Sequence, residues 1–131
     1  MKIDIDRISK ELFNNIPEAE FAYIFGSTQD GNVGKNSDID IAFYFSKNIE
    51  ISENLILEIF KSFEKIYPNL TLDICNLNTA SLILRFEALR GTLLFVRDNF
   101  KDKFAEFFSL TAREYEDEMY RRKLQFKYRG Y

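Results

Sequence analysis

The stretch from Phe21 to Phe45, FAYIFGSTQDGNVGKNSDIDIAFYF, limits what this chain can fold into more than any other. An apolar run closes on Gly26-Ser27, a polar loop containing two more glycines follows, and the chain turns apolar again after Ser37-Asp38-Ile39-Asp40. Short aromatic and branched runs bounded by polar, glycine-containing segments form strands. In residues 38–45, Asp38, Asp40, Ala42 and Tyr44 alternate with Ile39, Ile41, Phe43 and Phe45. A strand there carries two carboxylates on one face and an unbroken apolar row on the other. The two acids are rooted about 6.5 Å apart, from which their side chains converge on a metal pair about 3.5–4 Å apart.

Asp-x-Asp on a strand is often only a solvated face, but three further features add weight here. The acids open a strand that is strongly apolar immediately afterwards, and charge at the rim of a buried sheet is costly unless cations or water meet it. Gly26 permits a backbone turn that lets phosphate oxygens approach the amides, and Ser27 adds a hydroxyl donor. Asp73 stands between Leu72 and Ile74 in another strand-like run, an odd place for an acid unless its face opens on a cleft. The chain has no histidine. That excludes imidazole bases, His-based triads and His-ligated zinc, so a metal site must be built from oxygen and suits a hard ion such as magnesium. Strand, phosphate-holding turn and acid-bearing strand together make a kit for placing a nucleoside triphosphate on divalent ions.

The remaining segments give an α/β (α+β) class, a small mixed sheet flanked by helices. Ile5, Ile8, Leu12 and Ile16, widened by Phe13, predict a helix over 4–16 that ends at Pro17. Residues 21–25 predict a buried strand. Residues 52–67 predict a helix capped by Ser52, with Ile56, Ile59, Phe60, Phe63 and Ile66 inward. Residues 70–77 read as a strand, with Leu72 and Ile74 facing opposite to Thr71, Asp73 and Cys75. Thr79 is placed to cap a helix with Leu82, Ile83, Phe86 and Leu89 inward and Gly91 at C′. Residues 93–96 read as a strand. A last helix spans about 98–128, its inner stripe Phe104, Phe107, Phe108, Thr111, Tyr115 and Met119. Acids at 114–118 give way there to Arg121, Arg122, Lys123, Lys127 and Arg129, either a solvated face or a docking surface for an acidic partner.

The 131 residues fit one domain, 1–131, with a sizeable core fed by fourteen Phe and seven Tyr. A net charge of −3 makes no case for direct nucleic-acid binding. The single Cys75 reads as a small core residue in a reducing compartment. No apolar run is long enough to cross a bilayer, and the N-terminus lacks a secretory apolar segment, so the expected address is the cytoplasm.

Gly26-Ser27, ten intervening residues and Asp38-Ile39-Asp40, with Asp73 downstream, resemble the signature of the nucleotidyltransferase superfamily related to DNA polymerase beta. The short chain and the run LILRFEALRGTLLFVRD over 82–98 resemble the minimal nucleotidyltransferases (MNT), many of them antitoxins encoded beside a HEPN-domain ribonuclease toxin. The resemblance spans about residues 20–98. It implies that Asp38 and Asp40 bind two magnesium ions, that Asp73 holds the catalytic metal and helps deprotonate the acceptor, and that Gly26 and Ser27 grip the triphosphate of ATP. Members often carry Arg directly after Gly-Ser; here it is Thr28, with Asp30 close by, and Lys35 is the candidate substitute cation. Arg85 and Arg97 are further candidate phosphate or partner contacts, or else structural charges.

Larger relatives hold the acceptor in an extra domain, which this chain has no residues to build. The acceptor must be very small or bring its own surface. With the resemblance, this favours an antitoxin that adenylylates its HEPN toxin on a tyrosine hydroxyl. Two alternatives stay open: an antitoxin acting by binding alone, and a stand-alone enzyme modifying a small hydroxyl-bearing molecule.

Overall fold

The computed structural model describes residues 3–26 and 38–128, with side chains up to residue 125. The elements are α1 (Ile5–Asn15), β1 (Ala19–Phe25), β2 (Ile39–Phe45), α2 (Glu53–Glu64), β3 (Leu72–Asn76), α3 (Leu82–Leu89), β4 (Thr92–Val96), a 3-10 turn (Asp98–Phe100) and α4 (Lys101–Tyr128). The strands form one mixed sheet in the order β3-β2-β1-β4. β1 is antiparallel to both β2 and β4, while β2 and β3 are parallel and joined through α2. The result is the mixed α+β sheet expected from the sequence.

The two faces of the sheet carry separate cores, which is why β1 and β2 are so apolar. Ile39, Ile41, Phe43 and Phe45 face α1 and α2, meeting Ile8, Leu12, Leu55, Ile59 and Phe63. Phe21, Tyr23, Phe25 and Ala42 face the other way and meet Ala88 and Leu89 of α3, with Phe104 and Phe107 of α4 packed against them. β1 is buried along its whole length because it lies between two strands and under helices on both sides. Tyr44 stacks on Phe21 with ring centroids 4.9 Å apart, and Phe86 of α3 stacks on Tyr115 of α4 at 3.6 Å. The Phe21 ring also meets Phe104 and Phe107 at 5.0 and 5.5 Å, which docks α4 onto the acid-bearing side of the sheet, while the Phe86–Tyr115 pair ties α3 to α4.

Helix phases differ from the sequence expectation in instructive places. In α2 the buried residues are Leu55, Ile59, Ser62 and Phe63, while Phe60 is exposed. Ser62 goes inside because its hydroxyl donates to the Glu58 carbonyl of its own helix, which satisfies it without a partner across the core. α3 begins later than expected: Ser81, not Thr79, is the N-cap and accepts from the Leu84 amide. The shift turns Ile83 outward and buries Ala88 with Leu89. In α4, Thr111 is buried and Phe108 exposed. Ser52 caps α2 as expected.

Gly91 follows α3 at the C′ position, but its φ is not in the left-handed region; Gly26 is the one described glycine that is. What Gly91 supplies is space. A Cβ there would lie 2.3 Å from the Ile24 carbonyl oxygen and 2.9 Å from the Phe25 Cα. The α3–β4 corner therefore rests directly on the backbone of β1.

Candidate functional site

In the parallel β2–β3 ladder, Asp40 pairs with Asp73, Ile41 with Ile74 and Ala42 with Cys75. Opposed residues of a ladder share a face, so Asp73 stands on the same side as Asp40. Asp38, two residues before Asp40, has the same parity. Burial pushes the Asp40 carboxyl up from its ordinary 3.8, and the charges of Asp73 and then Asp38, with a side-chain hydrogen bond to Asp73, push the same way. Asp38 and Asp73 are exposed, and Asp40 is half-buried. The structure thus gathers the three acids on one face, with Asp73 opposite Asp40 and both Asp73 and Asp38 acting on it as nearby charges. Among the described residues no three acid, thiol or imidazole groups already stand in coordinating geometry. The donor chemistry still fits magnesium: all three are hard oxygen ligands, and the crowding that raises Asp40's affinity for a proton equally favours a divalent cation between them.

Gly26 closes β1, immediately after Phe25, which pairs with Asp40. Its φ is +75°, and a Cβ would lie 2.5 Å from Asp40 Oδ2. Glycine is needed here twice over, for the left-handed backbone and for room against the carboxylate. Ser27 and Lys35, together with Thr28 and Asp30, lie outside the described residues.

A cavity of about 850 Å³ opens over this corner, a volume typical of small-molecule sites. Phe25, Gly26, Asp40, Asp73 and Cys75 line it from the sheet; Asn76, Thr79 and Ala80 from the β3–α3 connection; Leu84, Glu87 and Arg90 from α3. Cys75 is therefore a cavity wall residue rather than a fully buried filler. Burial, and then the Asp40 charge, push its thiol up, which keeps it protonated and a poor nucleophile.

The two outlying arginines are spent elsewhere. Arg97 donates through Nε to the Ala19 carbonyl at 2.6 Å, and through Nη2 to the carbonyls of Ile16 at 2.7 Å and Phe13 at 2.8 Å. It also lies over the Phe13 ring, 4.3 Å from its centroid. Arg85 pairs with Glu114 at 3.1 Å, tying α3 to α4. Neither lines the cavity. Sequence reasoning missed Asn76, Glu87 and Arg90 as wall residues. Only the position of Glu87 and Arg90, just before Gly91, hinted that this helix end abuts the sheet.

A mixed sheet with an Asp-x-Asp strand opposed to a third carboxylate beside a glycine turn has the layout of a nucleotidyltransferase. The chain belongs to the family described as Polymerase beta, Nucleotidyltransferase, whose model matches residues 7–100. No curated protein sequence matches it. Several solved structures share its fold. One is a chain of a toxin–antitoxin crystal structure with AMP-PNP: 23% identity, 95% of this chain and 97% of that one covered, TM-score 0.69. Another comes from a Shewanella oneidensis complex of a tri-AMPylated HEPN toxin with an MNT antitoxin: 21% identity, 94% and 92% covered, TM-score 0.63. A third is from the MntA-HepT toxin–antitoxin: 22% identity, 94% and 93% covered, TM-score 0.61. At these identities the likeness is one of fold.

Proposed function

We propose that this chain is an antitoxin that transfers AMP from ATP to a tyrosine hydroxyl of a HEPN-domain ribonuclease toxin and thereby silences it. The observation that carries the reading is the face-to-face pair Asp40 and Asp73, with Asp38 alongside, under a cavity that begins at Gly26. Family membership supports nucleotidyl transfer, and fold neighbours taken from HEPN toxin–antitoxin complexes support the partner.

Asp38, Asp40 and Asp73 would hold magnesium, which when bound neutralises charge developing on the phosphoryl oxygens and the leaving group. Gly26, without a side chain, lets the triphosphate come against the end of β1. The acceptor hydroxyl oxygen forms a bond to the α-phosphorus in line as the bond to pyrophosphate breaks. The hydroxyl proton goes to a carboxylate of the trio, Asp73 being the one exposed on the neighbouring strand. The open side of the cavity leaves the acceptor to be presented by the partner. The added phosphate brings negative charge and bulk to the toxin.

The test is to incubate the chain with ATP, magnesium and its HEPN partner and weigh the toxin by mass spectrometry. A gain of AMP units, lost in Asp38→Ala and Asp40→Ala, is expected. Labelling that persists in both variants would place the chemistry elsewhere.

A further inference from the structure

Arg90 is the C-cap residue of α3 and lines the cavity together with Gly26, Asp40 and Asp73. It is the one cation among the described lining residues. Its place is fixed by its neighbour: Gly91 sits against the backbone of Ile24 and Phe25, so Arg90 stands beside the end of β1, where Gly26 begins the turn. The other two arginines near the sheet and α3 are committed, Arg97 to three carbonyls and Arg85 to Glu114. Arg90 is not. It is exposed, and among the described residues no carboxylate or carbonyl holds its guanidinium, not even Glu87 one turn earlier; its contact is the Phe86 ring, 5.9 Å from centroid to Cζ. The remaining charge on the described wall, Asp40, Asp73 and Glu87, is negative. Among the charged side chains of the described wall, this guanidinium is the one that attracts an anionic ligand, and its planar fork suits phosphate oxygens.

We infer that Arg90 holds the phosphate tail of the nucleotide, beyond the α-phosphate. The inference rests on the reading above, that a nucleoside triphosphate occupies this cavity. It makes Arg90 a substrate-binding residue supplied by α3, so that the sheet brings the acids and the helix brings the cation.

The test is equilibrium binding by calorimetry, with magnesium and without the toxin, of AMP-PNP and of AMP to the wild-type chain, Arg90→Ala and Arg90→Gln. Because the side chain is exposed and bonds to nothing described, both variants should melt within a few degrees of wild type. Losing a charge-assisted contact weakens AMP-PNP about 10-fold. AMP, lacking the tail, should change less than about 3-fold, the span of a lost neutral contact or less. If both variants bind AMP-PNP as tightly as wild type, the assignment of Arg90 is wrong while the cavity reading stands. If AMP weakens as much as AMP-PNP, Arg90 does not contact the tail, and the assignment is again overturned. If the wild-type chain binds neither nucleotide, the reading of the cavity itself falls, and this inference with it.

Discussion

Asp40 and Asp73 stand opposite each other across the parallel β2–β3 pair, close enough for the charge of Asp73 to push the Asp40 carboxyl up. Two carboxylates can do this only if the chain tolerates charge crowding for the sake of what binds there. The fold carries that cost when nothing bound offsets it.

The first prediction follows from that cost. Asp40 is raised in the folded state, first by burial and then by Asp73 and Asp38. A raised carboxyl favours the folded state while it is protonated, so its contribution is complete below the ordinary 3.8 and is lost as pH rises through the folded value. Asp40→Asn removes this loss. At neutral pH and without metal, the variant should be the more stable, by on the order of 1 kcal/mol or less, a rise of a few degrees in melting temperature. The advantage should shrink as pH falls toward 4. Thermal melts of both proteins across pH 4–8 in chelator check it; an advantage over wild type that is no larger at pH 7 than at pH 4 contradicts the account.

Gly26 gives the second. Alanine there must hold φ near +75° and push against Asp40 Oδ2. Left-handed backbone at a non-glycine residue costs about 1–3 kcal/mol. Part of the clash is relieved when Asp40 is shortened. Gly26→Ala should therefore lower the denaturant midpoint in the wild-type background, and by less in an Asp40→Ala background. Equal losses in the two backgrounds would mean that the carboxylate and the glycine are not in contact.

Arg97 gives the third, and it separates two roles that sequence alone left side by side. Its guanidinium gathers the carbonyls of Phe13, Ile16 and Ala19, stitching the end of α1 to the start of β1 from beyond β4. Burial lowers its pKa, opposed by the charge of Glu18, and the group stays charged at all working pH values. Arg97→Ala takes a donor from three carbonyls, of which that of Ile16 keeps the Ala19 amide and that of Phe13 is open to water. The variant should lose about 1–3 kcal/mol in urea unfolding. Nucleotide affinity, measured at a temperature where the variant is still folded, should be unchanged, because Arg97 lies outside the cavity. Weakened binding by the folded variant would restore it to the phosphate site.

The central part of this arrangement was legible in the sequence because strands have a period of two. Asp38 and Asp40 had to share a face, and Asp73, flanked by Leu72 and Ile74, had to point away from the core of its own strand. The shared face of Asp40 and Asp73 depends on register, which follows from parallel pairing through α2 and not from local pattern. Helix phase was less legible. Phe60 and Ile83 lie on stripes that look inward by composition, but small residues, Ser62 and Ala88, take the buried positions where helices come close to the sheet. Arg90 was illegible for a different reason. It stands out because no described residue pairs with its guanidinium, and a sequence lists charges without their partners.

The fourth prediction concerns a charge that no local pattern singles out. Glu20 in β1 is 1% exposed, and Lys103 from the first turn of α4 lies 3.1 Å from each of its carboxylate oxygens. Lys103 also sits over the Tyr44 and Phe100 rings at 5.4 and 5.8 Å, so apolar surface surrounds the pair. Replacing one partner strands the other. Lys103→Met leaves a buried carboxylate with no counter-charge and should cost about 3–5 kcal/mol. Glu20→Gln keeps an acceptor for the ammonium and should cost less, because Lys103 is partly exposed and regains water. The double variant Glu20→Leu with Lys103→Met removes both charges and should recover most of the loss, since well-packed apolar replacements of a buried pair are often neutral. A double-mutant cycle by chemical denaturation reads this directly. Additive losses in the cycle would show that the pair is not coupled and that α4 is held to the sheet by Phe104 and Phe107 alone. Strong coupling would make the Glu20–Lys103 pair the pin that sets where α4 starts, and so where the helical layer lies over the face of the sheet that carries Asp40.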